Sequence, residues 1–321
     1  MLKYYLNKVR RDFKYFLFYK SQKKLKLLPE YKIQKDRYEK LKNEFLDNYL
    51  EIRKYDSNKF LNSSWLNFKE KIEKIMLPYP KFNFLANPII LFTMFATAGG
   101  NWMRSQLKFL EERLNEKELY RLLVESPFGE PLILCEKYLT SHSSIQHLYS
   151  IERYFYKTNN KMEKIKSIIE WGGGYGNLAK IFTRKINKVI TYIIIDIPIF
   201  SLIQYLYLSV IFGEENVILL KSPDKKIVEN KINILPLCFV ESLNFNSDFF
   251  ISTWALSEST KEAQDYVIEN RNFFGAKYLL LANQRSDSSF KYAENLNRIA
   301  NDKKAISEEI SFLKGNYYHF I

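Results

Sequence analysis

Glycine is scarce in this chain, ten in 321 residues, yet four fall within five positions at Gly172, Gly173, Gly174 and Gly176. They follow Ile168-Ile169-Glu170-Trp171 and precede Asn177-Leu178, a spacing that reads as strand, turn and helix. Glycines gathered there let the main chain approach a ligand and adopt positive φ, which a side chain would obstruct. Glu170 stands just ahead of them. Asp196 lies twenty residues beyond Gly176, at the end of the next strand-like run, where a carboxylate can accept from both hydroxyls of a ribose. The dinucleotide fingerprint would need glycines at 172, 174 and 177, and position 177 is Asn. A carboxylate beside the turn also repels a pyrophosphate and favours a cationic ligand. A turn with no ligand and a nicotinamide or flavin site are the competing readings.

The elements that would hold these residues follow from the pattern after about residue 146, where short β-branched runs alternate with helical ones in the manner of a parallel α/β sheet. Strands are expected at Ile165 to Glu170, Val189 to Asp196, Asp248 to Thr253 and Lys277 to Ala282. A further strand falls at either Val217 to Leu220 or Ile232 to Leu237. Helices are expected from Asn177 to about Lys185 and from Pro198 to a stop at Gly213, the latter apolar nearly all round and therefore heavily buried. Ser259 with Glu262 reads as a capping box opening a helix that ends at Gly275. The tail from Ile306 to Ile321 suits an antiparallel hairpin closing the sheet. Residues 1–145 have helical periodicity broken at Pro29, Pro78 and Pro80, Gly99-Gly100 and Pro127 to Pro131. The fold class expected is thus α/β, a Rossmann-like sheet with helices on both faces over 146–321, preceded by a mainly helical region over 1–145 that could serve as a lid or as the contact surface of a homo-oligomer.

Composition and charge bound the rest. Hydrophobic residues make up 46% and charged residues 26%, an ordinary globular balance. Two cysteines (Cys135, Cys238) exclude a disulfide framework or a four-thiolate zinc site, and three histidines leave little for a His-rich metal centre, so no metal is expected. The net charge of +13 invites a nucleic-acid reading, but residues 1–28 hold nine basic groups against one acid, leaving +5 for the other 293 residues. Charge gathered at one end argues against a nucleic-acid partner. The same segment has a helical apolar stripe, which fits either peripheral contact with an anionic membrane surface or docking on the protein itself. No secretory signal is evident, and the most apolar window, Leu85 to Ala98, is short for a membrane span and reads as a core helix. A cytoplasmic protein is expected.

The acid-x-G-x-G-x-G spacing of Glu170, Gly172, Gly174 and Gly176 resembles motif I of S-adenosylmethionine-dependent methyltransferases. The likeness extends further: TSHSSIQHLY at 140–149, EWGGGYGNLAKIF at 170–182, YIIIDIPIFSLIQYLYL at 192–208, INILPL, FFISTWALSEST with AQDYVI, and FFGAKYLLLANQ resemble, in order, the bacterial putative sugar O-methyltransferase family. The resemblance covers roughly residues 80–321 and leaves the first 75 without support.

It implies a class I methyltransferase using S-adenosyl-L-methionine on a hydroxyl of a sugar, nucleotide sugar or glycan, in surface-polysaccharide synthesis. Glu170, Gly172, Gly174, Gly176 and Asp196 would hold the cofactor, whose ammonium and sulfonium suit the two acids. Trp254, Ser257 and Glu258 would face the reaction centre, Trp254 against adenine or a sugar ring. His147 matches the histidine before Leu-Tyr in the family's pattern. Gln146 and Ser150 stand where that pattern often has further histidines. Methyl transfer to an alcohol needs a base, and His147, Glu258 and His142 are the candidates, with His142 and Ser257 otherwise reaching the acceptor. A non-catalytic methyltransferase-like scaffold and an enzyme for a non-sugar small molecule are the alternatives. An exocyclic-amine methylase is disfavoured, because Ser252-Thr253-Trp254-Ala255 lacks the prolines such enzymes carry after the fourth strand.

Overall fold

A computed structural model of the protein describes residues 22–94, 101–186 and 190–321. Most of the basic segment 1–28, the Gly99-Gly100 break and the end of the apolar window lie outside the described residues. Among the described residues, the α-helices with defined bounds before His142 are α1 (Glu30–Leu41), α2 (Phe45–Arg53), α3 (Ser63–Met76), α4 (Pro88–Met94), α5 (Asn101–Glu111) and α6 (Glu116–Leu123). Then follow α7 (His142–Thr158), β1 (Ser167–Trp171), α8 (Asn177–Lys185), β2 (Thr191–Asp196), α9 (Pro198–Phe212), β3 (Val217–Leu219), β4 (Ile232–Pro236) and β5 (Phe249–Thr253). The chain closes with α10 (Lys261–Asp265), β6 (Tyr278–Asn283), α11 (Asn295–Asp302), β7 (Ile306–Glu309) and β8 (Tyr317–Phe320).

The eight strands form one sheet in the order β3-β4-β2-β1-β5-β6-β8-β7. The first six are parallel, and the β7–β8 hairpin joins β6 antiparallel, Leu281 opposite His319. This is the expected Rossmann-like sheet with a helical region before it. Ile193, Ile194 and Ile195 are buried on both faces, which is why the run contains no polar alternation. Both candidates for the uncertain strand are strands. Ile232–Pro236 pairs with β2, whereas Val217–Leu219 adds a three-residue edge beyond it.

The all-round apolar character of α9 has a tertiary cause, since the sheet covers one side and α1 and α2 cover another. Arg37 of α1 donates to the Val210 and Ile211 carbonyls, satisfying the last turn of α9 at 3.2 and 3.1 Å. One core therefore runs through both regions. Residues 142–145, assigned to the helical region by pattern, form the first turn of α7, which continues to Thr158.

The N-cap is displaced by one residue, and with Ala263 at N3 the reciprocal half of a capping box is lost. Thr260, not Ser259, caps α10, its hydroxyl accepting from Ala263 N at 3.3 Å. Ser259 donates instead to the Ala255 carbonyl at 2.8 Å and is lost to the loop. The helix is also short, passing into a π turn over Tyr266–Asn270. Among the described residues no helix is long and apolar enough to cross a membrane.

Candidate functional site

In an open parallel sheet the ligand crevice lies beyond the strand carboxyl ends where successive connections diverge. Here β1 leads to β2 on one side and is flanked by β5 on the other, so Glu170, Trp171 and the glycine turn open onto that crevice. A cavity of about 550 Å³ occupies it, within the range of about 300–1,000 Å³ usual for small-molecule sites. Gly172, Gly173 and Gly174 line it, with Ile195, Asp196 and Ile197 from the end of β2 and Thr253, Trp254 and Ala255 from the end of β5.

The turn is built for contact. Gly172 has φ +80°, and a Cβ there would lie 2.0 Å from the Ala255 Cβ, so the loops after β1 and β5 meet only because this position is glycine. Gly174, at φ +57°, has nothing within 4 Å of its would-be Cβ; its bareness leaves room on the cavity side. Gly176 does not line the cavity. It stands at the N-cap of α8, its N–H on the Gly173 carbonyl at 2.8 Å, and shapes the turn from behind. Gly173, which the motif leaves unassigned, is tightly packed like Gly172, with Ile194 Cγ2 2.4 Å from a would-be Cβ.

Two acids sit against this turn with no ion pair among the described residues. Glu170 is buried and accepts from the Tyr192 hydroxyl at 2.8 Å; burial pushes its pKa up to about 8, with the Asp196 charge adding to the rise. Asp196 accepts from Gly174 N, Ile197 N and Gln204 Nε2 at 3.1, 2.8 and 2.8 Å, and burial still raises it to about 7. Its hydrogen bond to Gly174 ties the acid after β2 to the turn after β1. Gln204 secures the tie by donating also to the Gly174 carbonyl at 2.9 Å.

Beyond β5, Trp254 lines the cavity with φ +81°, rare for a bulky residue and a form of strain concentrated at functional sites. Its carbonyl accepts from Glu258 N at 3.1 Å and from the Ser257 hydroxyl at 2.6 Å. Ser257 is therefore fully buried and outside the lining, so the expected contact with an acceptor is corrected: its hydroxyl is spent on the main chain. His142 is likewise outside the lining, buried with its ring centroid 3.7 Å from that of Trp102, which rules out a place at the cavity.

His147 and Glu258 both line the cavity. Burial, reinforced by the nearby Lys180 charge, lowers His147 to about 4, leaving a neutral imidazole at pH 7. Its Nδ1 is engaged by the Asn177 amide at 3.0 Å. Burial raises Glu258 to about 7, opposed by the hydrogen bond it accepts from Trp65 Nε1 at 3.0 Å.

Sequence reasoning missed the roof. Phe60, Leu61 and Trp65 line the cavity from the stretch 60–65, and Asn62 locks it to the other wall by donating to the Glu258 carbonyl at 2.5 Å. No spacing could have announced the contacts of Asn62 and Trp65 with Glu258, made across 196 and 193 residues of chain. Asn177 was visible only as the residue that breaks the dinucleotide fingerprint. The buried Gln284 Nε2 has no hydrogen-bond partner among the described residues and belongs to a lining residue, a donor suited to a ligand oxygen. Among the described residues, no group of three or more His, Cys, Asp or Glu is placed to hold a metal ion.

The residues present fit a cationic, ribose-bearing cofactor: two acids with no ion pair among the described residues, a bare turn and space beside Gly174. No protein-family model matches the chain, and no curated protein matches it. Among solved structures it is similar to human N-acetylserotonin methyltransferase with S-adenosylmethionine (12% identity, 56% of this chain and 53% of that one, TM-score 0.36). It is also similar to the mitomycin 7-O-methyltransferase (11%, 69% and 68%, 0.36) and to a 16S rRNA methylase (16%, 70% and 98%, 0.34). Overlap at this level leaves the roles of residues to the geometry of the cavity itself.

Proposed function

We propose that the protein is an S-adenosylmethionine-dependent O-methyltransferase acting on a hydroxyl of a sugar or nucleotide sugar. The observation that carries the cofactor reading is the pair Glu170 and Asp196, two of the four acids lining the cavity, neither of them ion-paired among the described residues, meeting at a glycine turn. Asp196 would accept from ribose hydroxyls, and Glu170 would face the ammonium end, where a positive charge stabilises its ionised form. When bound, the cofactor supplies the methyl group as an electrophilic carbon on a sulfonium. Around it the chain's own residues do the rest. Trp65 and Trp254 offer ring faces to the C–H surface of a sugar, while Glu258 and Gln284 offer an acceptor and a donor for its hydroxyls. His147, neutral at physiological pH, takes the hydroxyl proton as the oxygen gains the methyl group, a contribution of typically about 10²- to 10⁴-fold.

The aromatic roof of Phe60, Trp65 and Phe200 gives specific support to a second reading, a flat phenolic acceptor. Incubation with isotopically labelled cofactor and a panel of nucleotide sugars and phenols, followed by mass spectrometry, separates the two. A gain of one CH₂ on a sugar supports the first reading; transfer only to phenols replaces it. Failure to bind S-adenosylmethionine in calorimetry removes both and leaves a scaffold.

A further inference from the structure

A buried polar chain runs from an ion pair to the cavity histidine. Glu125, two residues past α6, and Lys180 of α8 are both fully buried, with Nζ 2.7 Å from Oε2. The other carboxylate oxygen, Oε1, lies 3.1 Å from Ser141 N and 2.5 Å from each of the Ser141 and Ser144 hydroxyl oxygens. Ser144 Oγ is in turn 3.2 Å from the Asn177 amide atom assigned as Oδ1, and the end assigned as Nδ2 is 3.0 Å from His147 Nδ1; a flip of the amide exchanges the two. Ser141, Ser144 and His147 are spaced by three along α7 and its cap, and Asn177 opens α8 directly after the glycine turn.

Proton counting fixes the direction of this chain. An ionised carboxylate only accepts, so Ser141 and Ser144 donate to Glu125. A serine hydroxyl has one proton; with it given to Glu125, Ser144 Oγ can only accept from Asn177. The two ends of an amide are isosteric, so this accounting rather than shape decides which faces which. The arrangement with Oδ1 toward Ser144 would ask one proton to serve two acceptors. With Nδ2 toward Ser144, each of these contacts has one donor and one acceptor, and Oδ1 then faces His147 Nδ1, which must carry a proton. The lone pair of the neutral ring is left on Nε2, the nitrogen not held by Asn177, on a side chain that lines the cavity.

We propose that Asn177, oriented by Ser144 and the Glu125–Lys180 pair, is the positioning residue that holds His147 in its Nδ1–H tautomer and so presents Nε2 as the proton acceptor of the cavity. The acceptor role rests on the methyltransferase reading; the tautomer does not. A free neutral imidazole favours the opposite form, with the proton on Nε2, so the surroundings must impose this one.

Long-range proton–nitrogen correlation spectra of the uniformly ¹⁵N-labelled full chain at neutral pH read the tautomer directly, with His147→Gln assigning the signals among three histidines. The expected result is a pyrrole-like Nδ1 and a pyridine-like Nε2 for His147. A pyridine-like Nδ1 in the wild type overturns the proposal, whatever the activity. In Asn177→Ala the ratio should shift toward the Nε2–H form, with turnover falling on the order of ten- to a hundred-fold and the Kd for S-adenosylmethionine changing less than about two-fold. In Asn177→Asp, whose side chain can only accept from Nδ1–H, the wild-type tautomer should return. An unchanged ratio in Asn177→Ala also overturns the proposal. Absence of methyl transfer to any acceptor would count against the proposed function while leaving the tautomer measurement intact.

Discussion

Two clusters of buried charge share the neighbourhood of the glycine turn and follow opposite rules. In one, Glu125 and Lys180 neutralise each other out of reach of the cavity, with serine hydroxyls completing the carboxylate's hydrogen bonds. Burial alone would push Glu125 up, but Lys180 and its other donors bring it below the ordinary value, while Lys180 is lowered by burial to about 8. Both stay charged at pH 7. In the other cluster, Glu170, Asp196 and Glu258 face the cavity with no ion pair among the described residues, and burial raises all three. Compensated charge belongs to the architecture. A buried carboxyl without an ion-pair partner is pushed toward its protonated form, and ionising it costs stability unless solvent or a cationic ligand completes the charge.

The contrast can be broken most forcefully at Lys180. Lys180→Met strands a buried carboxylate and should cost about 3–5 kcal/mol in denaturant unfolding, with Glu125→Met/Lys180→Met recovering a large part of it. If the single variant unfolds like the wild type, the first cluster is not structural. The turn between the clusters comes next. Gly172→Ala meets Ala255 at φ +80° and should destabilise by about 1–3 kcal/mol. Gly174→Ala, with open space around it, should keep more of the fold yet weaken cofactor binding, and equal losses in both would show that the turn discriminates nothing.

On the cavity side the signs reverse. Glu170→Gln should leave stability equal or higher while lowering affinity for S-adenosylmethionine at least about ten-fold, or about 1.4 kcal/mol by calorimetry. The pH dependence follows from the same carboxyl. Its pKa is about 8 in the folded chain against an ordinary 4.5, so between those values the native state holds the extra proton and stability falls as pH rises. Melting temperature should therefore drop across that window in the cofactor-free wild type and less so in Glu170→Gln. Cofactor affinity should climb over the same window, since the ionised acid is the binding form. The smallest effect is expected at the roof. Trp65→Phe removes one hydrogen bond from Glu258 and should cost about 1 kcal/mol in acceptor binding, read as a raised KM with little change in kcat.

Local pattern carried much of the fold. Helix α8 begins and ends where the glycine turn and the basic Arg184-Lys185 end place it, and α9 runs from Pro198 to its Gly213 stop. These boundaries are legible because proline fixes its own φ at a helix start and glycine readily takes the positive φ at a stop, as Gly213 does at +94°. The capping box was misplaced because Ser259 and Thr260 are chemically equivalent caps; only the Ala255 carbonyl, folded within reach, withdraws Ser259 from the contest. His142 and Ser257 were over-read for a related reason. A polar side chain next to a motif looks available until packing spends it, on Trp102 in one case and on the Trp254 carbonyl in the other.

By itself the sequence determined the glycine turn, its two acids and the strand–helix alternation that sets them at one end of a sheet, since these depend on backbone freedom and on spacing along the chain. Tertiary structure alone decided that Trp65 reaches Glu258 and that Asn177 stands between His147 and a buried ion pair. Such contacts join residues tens to hundreds of positions apart, and hydrogen bonds form by distance in space, which no periodicity encodes.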